Sequence, residues 1–296
     1  MPSEITLQTS DGVDLRATVH DPSDGTVAGG HTVVLAHAMF ARRTEYERPW
    51  GSGLAHVLAR HGFRTIAFDF RGHGDSGPGR ASEGVSWSYD DLVRKDLPAV
   101  VERARADGAR SVSVVGHSLG GHVAMAAQGS GAIAIDQLVA VGANVWLRHL
   151  EPSRLRWAAK RASMGVVAAF VARRGFFPAR ALRQGSDDES RDYMRALIRT
   201  AETGRWTSDD GAHDYEASLA KIRIPVLAIA STSDALNCHP ACAARMIAPV
   251  AGPKELRTIT KDDDGGAAPD HMGMITSPRA DHVRLGIASW LRSHRA

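Results

Sequence analysis

The hexapeptide Gly116-His117-Ser118-Leu119-Gly120-Gly121 places a serine between small residues two positions before and two after it, the pattern G-x-S-x-G. It lies between an apolar β-branched run, Ser111 to Val115, and a helical pattern, Leu119 to Ala127. A serine on a sharp strand-to-helix turn needs glycine on both sides so that strand and helix can approach, and Gly116 and Gly120 fill those places. Ser118 Oγ would then stand exposed beside a helix N-terminus, whose dipole favours a developing negative charge. Serine alone is a poor nucleophile. It needs a base to take its proton and a carboxylate to hold that base in the right tautomer.

Seven histidines follow Ser118: His122, His149, His213, His239, His271, His282 and His294. His122, one turn past the serine, is expected to point along its helix. His149 and His213 fall in or beside a helical block, and His282 and His294 lie in or after the last helix. His271, in Ala-Pro-Asp-His-Met-Gly, follows the strand Leu256 to Ile259 through a loop holding Asp262, Asp263, Asp264, Gly265 and Gly266. That loop is at the carboxyl end of a parallel strand, where open α/β sheets keep their ligand crevice, so His271 is the expected base. The preceding strand, Ile224 to Ala230, runs into Ser231-Thr232-Ser233-Asp234, which makes Asp234 the first carboxylate past it and the expected acid. Asp270 is the nearest rival, but adjacent residues rarely aim their side chains usefully at each other. Backbone N–H donors for an oxyanion are expected from Leu119 and from Met39, in the His37-Ala38-Met39-Phe40 segment that closes the strand His31 to Ala36.

The elements that must position these residues alternate in type. Ile5 to Thr9 and Val13 to Val19 flank Asp11-Gly12, a hairpin signal. Strands at His31 to Ala36, Phe63 to Phe70, Ser111 to Val115 and Gln137 to Val141 alternate with helices at Leu54 to Arg60, Tyr89 to Ala106 and Leu119 to Ala127. Pro98 leaves room for a kink in the second of these helices. This rhythm describes βαβ units around a mostly parallel sheet. From Trp146 to Ala220 no strand is convincing, and helical periodicity appears at Leu155 to Ala172 and Ser190 to Thr203. The rhythm then returns with Ile224 to Ala230, the helix Pro240 to Ala248, Leu256 to Ile259 and a last helix, Pro278 to Arg292. A helical block inserted between the sixth and seventh strands is a lid-like arrangement.

Composition narrows the function. The 296 residues carry 36 Lys+Arg against 33 Asp+Glu, a formal charge of +3 spread along the chain. No basic stripe marks a nucleic-acid partner. The first ten residues have neither a basic nor an apolar stretch, and the longest apolar run, Met164 to Ala172, is far short of the ~20 residues a membrane span requires. A soluble, cytoplasmic protein is the expectation. Cys238-His239-Pro240-Ala241-Cys242 offers ligand types without the second pair a structural zinc site wants, and Asp262-Asp263-Asp264 lacks the spacing of a calcium loop. No nucleotide fingerprint appears. Arg148 to Arg205 holds thirteen Lys+Arg against six Asp+Glu, interspersed with Trp157, Phe170, Phe176, Phe177, Tyr193 and, just beyond, Trp206. An apolar pocket rimmed by cations would suit an amphiphilic or carboxylate-bearing acyl substrate; a solvated arginine face is the alternative.

The chain resembles the α/β-hydrolase superfamily, specifically lidded serine hydrolases of the esterase, lipase and acylaminopeptidase-like kind. The resemblance rests on the HAMF segment, Asp69-Phe70-Arg71-Gly72-His73-Gly74-Asp75-Ser76-Gly77, GHSLGG, the Asp234 loop and the DHMG loop, spanning residues 37 to 273. Ala38 stands where the family has Gly, and Ser231 where Gly is common at the acid turn. The resemblance implies a mostly parallel sheet flanked by helices, with 1–145 and 223–296 forming the core and 146–222 a helical lid. It also implies a Ser118–His271–Asp234 triad in the family's chain order, an oxyanion hole at Met39 and Leu119, and His73 shaping a tight loop that lines the site. The implied reaction is cleavage of a small-molecule carboxylic ester through an acyl-enzyme, with no metal or organic cofactor. Thioesterases, acyltransferases and amidases use the same machinery, and some proteins of this fold bind ligands without turnover.

Overall fold

Ten strands are present among the described residues: β1 (Ser3–Gln8), β2 (Asp14–His20), β3 (His31–Ala36), β4 (Arg64–Phe68), β5 (Ser111–His117), β6 (Gln137–Val141), β7 (Phe176–Phe177), β8 (Glu189–Ser190), β9 (Val226–Ser231) and β10 (Lys254–Ile259). The computed structural model describes residues 2–23, 30–263 and 268–294. Eight strands form one sheet in the order β1-β2-β4-β3-β5-β6-β9-β10, and β7 pairs with β8 alone. The hairpin β1–β2 and the β2–β4 pairing are antiparallel, while every pairing from β4 to β10 is parallel.

Side chains alternate faces along a strand, and here both faces are covered. Val34, Ala36, Val112, Val114, Leu138 and Ala140 pack on one side, with the helices Leu97–Ala106 and Leu119–Ser130. Val33, Leu35, Val115, Val139 and Val141 face the other, against the helices Leu54–Arg60 and Asp281–Ser293. Near-continuous apolar runs such as HTVVLA are what a strand buried on both faces requires.

The expected helix from Tyr89 to Ala106 is continuous, but it contains a π-helical turn, Leu92–Asp96, immediately before Leu97 and Pro98. Proline has no N–H to return to the preceding turn, and a wider turn at that point absorbs the loss. Between β6 and β9 the chain forms the helices Arg154–Arg174 and Arg191–Thr203, each begun by a serine N-cap and ended by a glycine at positive φ. Among the described residues this segment's only strands are the two-residue β7 and β8. No described helix is long and apolar enough to cross a membrane. Asp264, Gly265 and Gly266 lie outside the described residues.

Candidate active site

Four parallel strands deliver the expected groups at one edge of the sheet: β3 leads to Met39, β5 to Ser118, β9 to Asp234 and β10 to the His271 loop. Ser118 sits at φ 50° and ψ −109°, a left-handed backbone that an L residue adopts only when its surroundings impose it. The surroundings are close. A Cβ on Gly116 would strike the backbone of Gly120 and Gly121, and one on Gly120 would strike the Ala36 carbonyl. The Ser118 N–H donates to Val141 O at 2.8 Å, and the Gly120 N–H to His37 O at 3.1 Å, tying the elbow to both neighbouring strands.

His271 Nδ1 donates to Asp234 Oδ2 at 2.5 Å. Asp234 is only 3% exposed. Burial alone would raise its carboxyl, but the bond and charge of His271, with the N–H groups of Cys238 and Asn237, outweigh it and hold the carboxyl below its ordinary value. The imidazole ring of His271 packs on Gly142, where a Cβ would crowd it, and Gly142 lines the same pocket as Ser118. Asp270 is engaged elsewhere, accepting the Gly273 N–H at 2.6 Å. His149 pairs with Glu216 at the surface, and His294 stacks on Trp290.

Met39, Ser118 and Leu119 border one pocket of about 310 Å³. Leu119 is the first residue of its helix, so its N–H has no intrahelical acceptor. The inserted segment supplies much of the opposite wall through Met164, Val167, Phe177, Met194 and Leu197. No Lys or Arg is among the lining residues, so the rim of cations expected from composition does not surround this pocket. Arginines of the segment such as Arg161, Arg173 and Arg174 are instead exposed. Charge counts reveal abundance, not the face on which it falls.

His122 departs from expectation. Four residues after Ser118 on a helix is the same face, not a position along the axis, and the ring borders the pocket. It pairs with the Tyr89 hydroxyl at 3.0 Å, and burial lowers its pKa to about 3, leaving a neutral imidazole. His73 is wholly buried and does not line the pocket. Its Nε2 lies 3.0 Å from Glu189 of the inserted segment. Burial opposes its charge, but Glu189 and Asp187 prevail and raise its pKa to about 9. His37 bridges β3 and β4 as a neutral ring, accepting the Phe70 N–H and donating to Ala38 O, with burial lowering its pKa to about 3.

Two further groups escape sequence reasoning. Glu45 accepts the Ala38 N–H at 3.0 Å and faces His117 Nδ1 at 3.2 Å, while His117 Nε2 donates to the His271 carbonyl at 3.0 Å. Both partners of His117 are acceptors, so both ring nitrogens donate and the ring is an imidazolium. Burial works against that charge, and Glu45 overcomes it, raising the pKa. Ser231 is the other. Its hydroxyl donates to Pro269 O at 2.5 Å, pinning the loop two residues before His271.

The Cys-His-Cys cluster does not converge on a ligand. Cys238 donates to Ala143 O, Cys242 to Glu151, and His239 Nδ1 accepts the Ala241 N–H as a helix cap. Ligand types do converge at His20, Glu47 and His56, within 4.8 Å of one another. Those three residues are joined as His–Glu pairs of 2.8 and 3.3 Å, and none of them lines the pocket.

The model of the "Alpha/beta hydrolase family" matches residues 33–284. An "AB hydrolase superfamily protein" of Gibberella zeae is 29% identical over 122 residues, which are 41% of this chain and 39% of that protein. The match thus spans well under half of the relative's length. An esterase from Exiguobacterium antarcticum superposes with a TM-score of 0.65 at 18% identity, covering 98% of this chain and 100% of its own. A thermophilic esterase from Thermogutta terrifontis gives 0.64 at 17% identity, covering 99% and 100%. At these identities the structures share the fold expected from the sequence.

Proposed function

The chain belongs to the alpha/beta hydrolase family, and from that membership we propose that it is a serine hydrolase cleaving small-molecule carboxylic esters. The observation that carries this reading is the 2.5 Å bond between His271 Nδ1 and the buried Asp234, with the His271 ring packed against Gly142, which lines the pocket that Ser118 borders. Asp234 holds the tautomer whose Nε2 is free to accept. His271 Nε2 takes the Ser118 proton as Oγ attacks the acyl carbon, and the N–H groups of Leu119 and Met39 receive the oxyanion. The ester C–O bond breaks, and the departing alkoxide takes the proton from His271. Water then attacks the acyl-enzyme with His271 again as base, releasing the acid and restoring Ser118.

Residues 146–222 act as a lid over the first pocket, whose apolar wall suits an uncharged acyl chain; 1–145 and 223–296 form the two parts of the core. No step needs a cofactor. Esterases recur among the structural neighbours, which share the fold, and an ester is the acyl compound we propose. A fluorophosphonate probe should label the protein at Ser118, identified by peptide mass, and Ser118→Ala should abolish labelling and cut ester turnover by several orders of magnitude while leaving the melting temperature in place. A folded wild-type protein that resists the probe would overturn the reading.

A further inference from the structure

Two pockets meet at Ser118's loop neighbours, and they differ in kind. The first has no Lys, Arg, Asp or Glu in its lining. The second, about 530 Å³, opens to solvent beyond the Met39–Phe40 turn and is bordered by Arg180, Arg183 and Met272. Met39, Phe40 and Gln184 belong to both walls. Three non-glycine residues among those described adopt left-handed φ: Phe40 at 65°, Ser118 at 50° and Arg183 at 55°. All three border this pair of pockets. Strained backbone of that kind persists where packing enforces it and gathers at ligand sites.

The loop carrying the arginines is seated firmly. The Ser186 N–H donates to Phe40 O at 2.7 Å, and a Cβ on Gly185 would strike Phe40. The nearby acids have hydrogen-bond partners of their own. Asp187 is held by Arg42 at 2.5 Å and by the Gly74 N–H, and Asp188 accepts the Arg180 backbone N–H at 2.9 Å. Among the described residues neither the Arg180 nor the Arg183 guanidinium makes an ion pair with a carboxylate.

We propose that this second pocket is the leaving-group subsite and that it receives an alcohol half bearing a carboxylate. The proposal rests on the ester-hydrolase reading above and adds which end of the ester is charged. Two arguments assign the sides. His271 must hand its proton to the departing oxygen, and its neighbour Met272 borders the second pocket but not the first. The acyl half stays bound to Ser118 through the second step, so it belongs in the more enclosed pocket, while the alcohol must escape, so it belongs in the open one. A carboxylate has no counter-charge in the first pocket and two in the second.

The test compares para-carboxybenzyl butyrate with para-methylbenzyl butyrate, and both with the benzyl half-ester of a dicarboxylic acid, whose charge lies on the acyl side. The carboxybenzyl ester should show kcat/KM about tenfold above its methyl partner at low salt, and most of that gain should vanish near 0.5 M salt, where the screening length is a few ångströms. In Arg180→Gln/Arg183→Gln the ratio of the two should fall towards one. The acyl-side acid should be the poorest of the three. Equal kcat/KM for the charged and uncharged benzyl esters, or a gain that survives the double substitution, overturns the subsite while ester turnover stands. If the folded wild-type protein turns over none of the three, it is the ester-hydrolase reading that fails.

Discussion

The strand ends and the inserted segment build opposite walls of one pocket by opposite means. At the strand ends the polar groups around Ser118 are tied to named partners: Asp234 to His271 and the Asn237 N–H, Ser231 to Pro269, Glu45 to Ala38 and His117. The inserted segment faces the same space largely with Met164, Val167, Met194 and Leu197, side chains that interact by shape, beside a few polar ones such as Ser163 and Thr200. Several of its anchors stand off the pocket, among them the His73–Glu189 pair at 3.0 Å, the Arg42–Asp187 pair at 2.5 Å, and Tyr215 donating to Asp90 at 2.6 Å, while the Ser186 N–H reaches Phe40 O on the pocket wall itself. Hydrogen bonds are directional and costly to leave unmade when buried, so the strand-end wall tolerates little change. Apolar contacts of similar volume can be exchanged for a kcal/mol or so, so the other wall can vary with its ligand.

That contrast is broken most severely on the rigid side. Asp234→Asn keeps the shape of the acid but offers an amide where His271 Nδ1–H needs a carboxylate, so the ring loses its held tautomer and the stabilisation of its cation. The expected result is a fall in kcat of about 10⁴-fold with KM little changed, measured on an activated ester. Retention of a tenth of the activity would show that Asp234 is not the acid of the proposed triad.

The same division explains what the sequence discloses. The places of Ser118, Asp234 and His271 are legible because the first two lie just past a recognisable strand and the third in the loop that leaves the next one, and a parallel sheet sends all such ends to one edge. Gly116 and Gly120 were legible because sterics at a sharp turn are local. The partners of His117 and His73 were not, since Glu45 lies 72 residues from the one and Glu189 lies 116 from the other. No local pattern marks an acid for so distant a base. His122, expected to point along its helix, borders the pocket instead, on the face that its i+4 spacing from Ser118 implies. Between a rim of cations and a solvated arginine face the sequence does not choose, because an arginine-rich segment does not announce which of its faces meets a pocket: the first pocket has no Lys or Arg in its lining, and Arg180 and Arg183 border the second.

A milder break tests whether the Glu45–His117 pair positions the His271 loop. His117 donates from both nitrogens, so the bridge exists only while the ring is charged. Its pKa is raised above the ordinary 6.5, with burial opposing and Glu45 prevailing. A pKa raised on folding means that its contribution to stability is complete below 6.5 and is lost as pH rises through the raised value. Glu45→Gln removes the charge that sustains the imidazolium but keeps an acceptor for the Ala38 N–H. Its alkaline loss of melting temperature should therefore begin at lower pH than in the wild type, and kcat should drop about tenfold with KM nearly constant. Parallel pH profiles for the two proteins would reduce the pair to packing.

The smallest effect is expected on the outer face of the inserted segment, where the comparison predicts nearly nothing. Arg161, Arg173 and Arg174 are exposed on the helix Arg154–Arg174 and line neither pocket. They share their charge with Arg180 and Arg183, so a general electrostatic attraction of anionic esters by the arginine-rich segment would involve all five. A defined subsite would involve only the last two. Arg161→Gln/Arg173→Gln/Arg174→Gln should move stability by no more than about 0.5 kcal/mol per site and leave the carboxybenzyl-to-methylbenzyl ratio of kcat/KM where it stands in the wild type. Two of the three arginines fall in the last turn of their helix, where a cation meets the negative end of the dipole, so the melting temperature should change downward if it changes at all. A ratio that falls as far in this triple variant as in Arg180→Gln/Arg183→Gln would show that the segment acts through its summed field, screened over a Debye length, and not through two guanidiniums at the mouth of the open pocket.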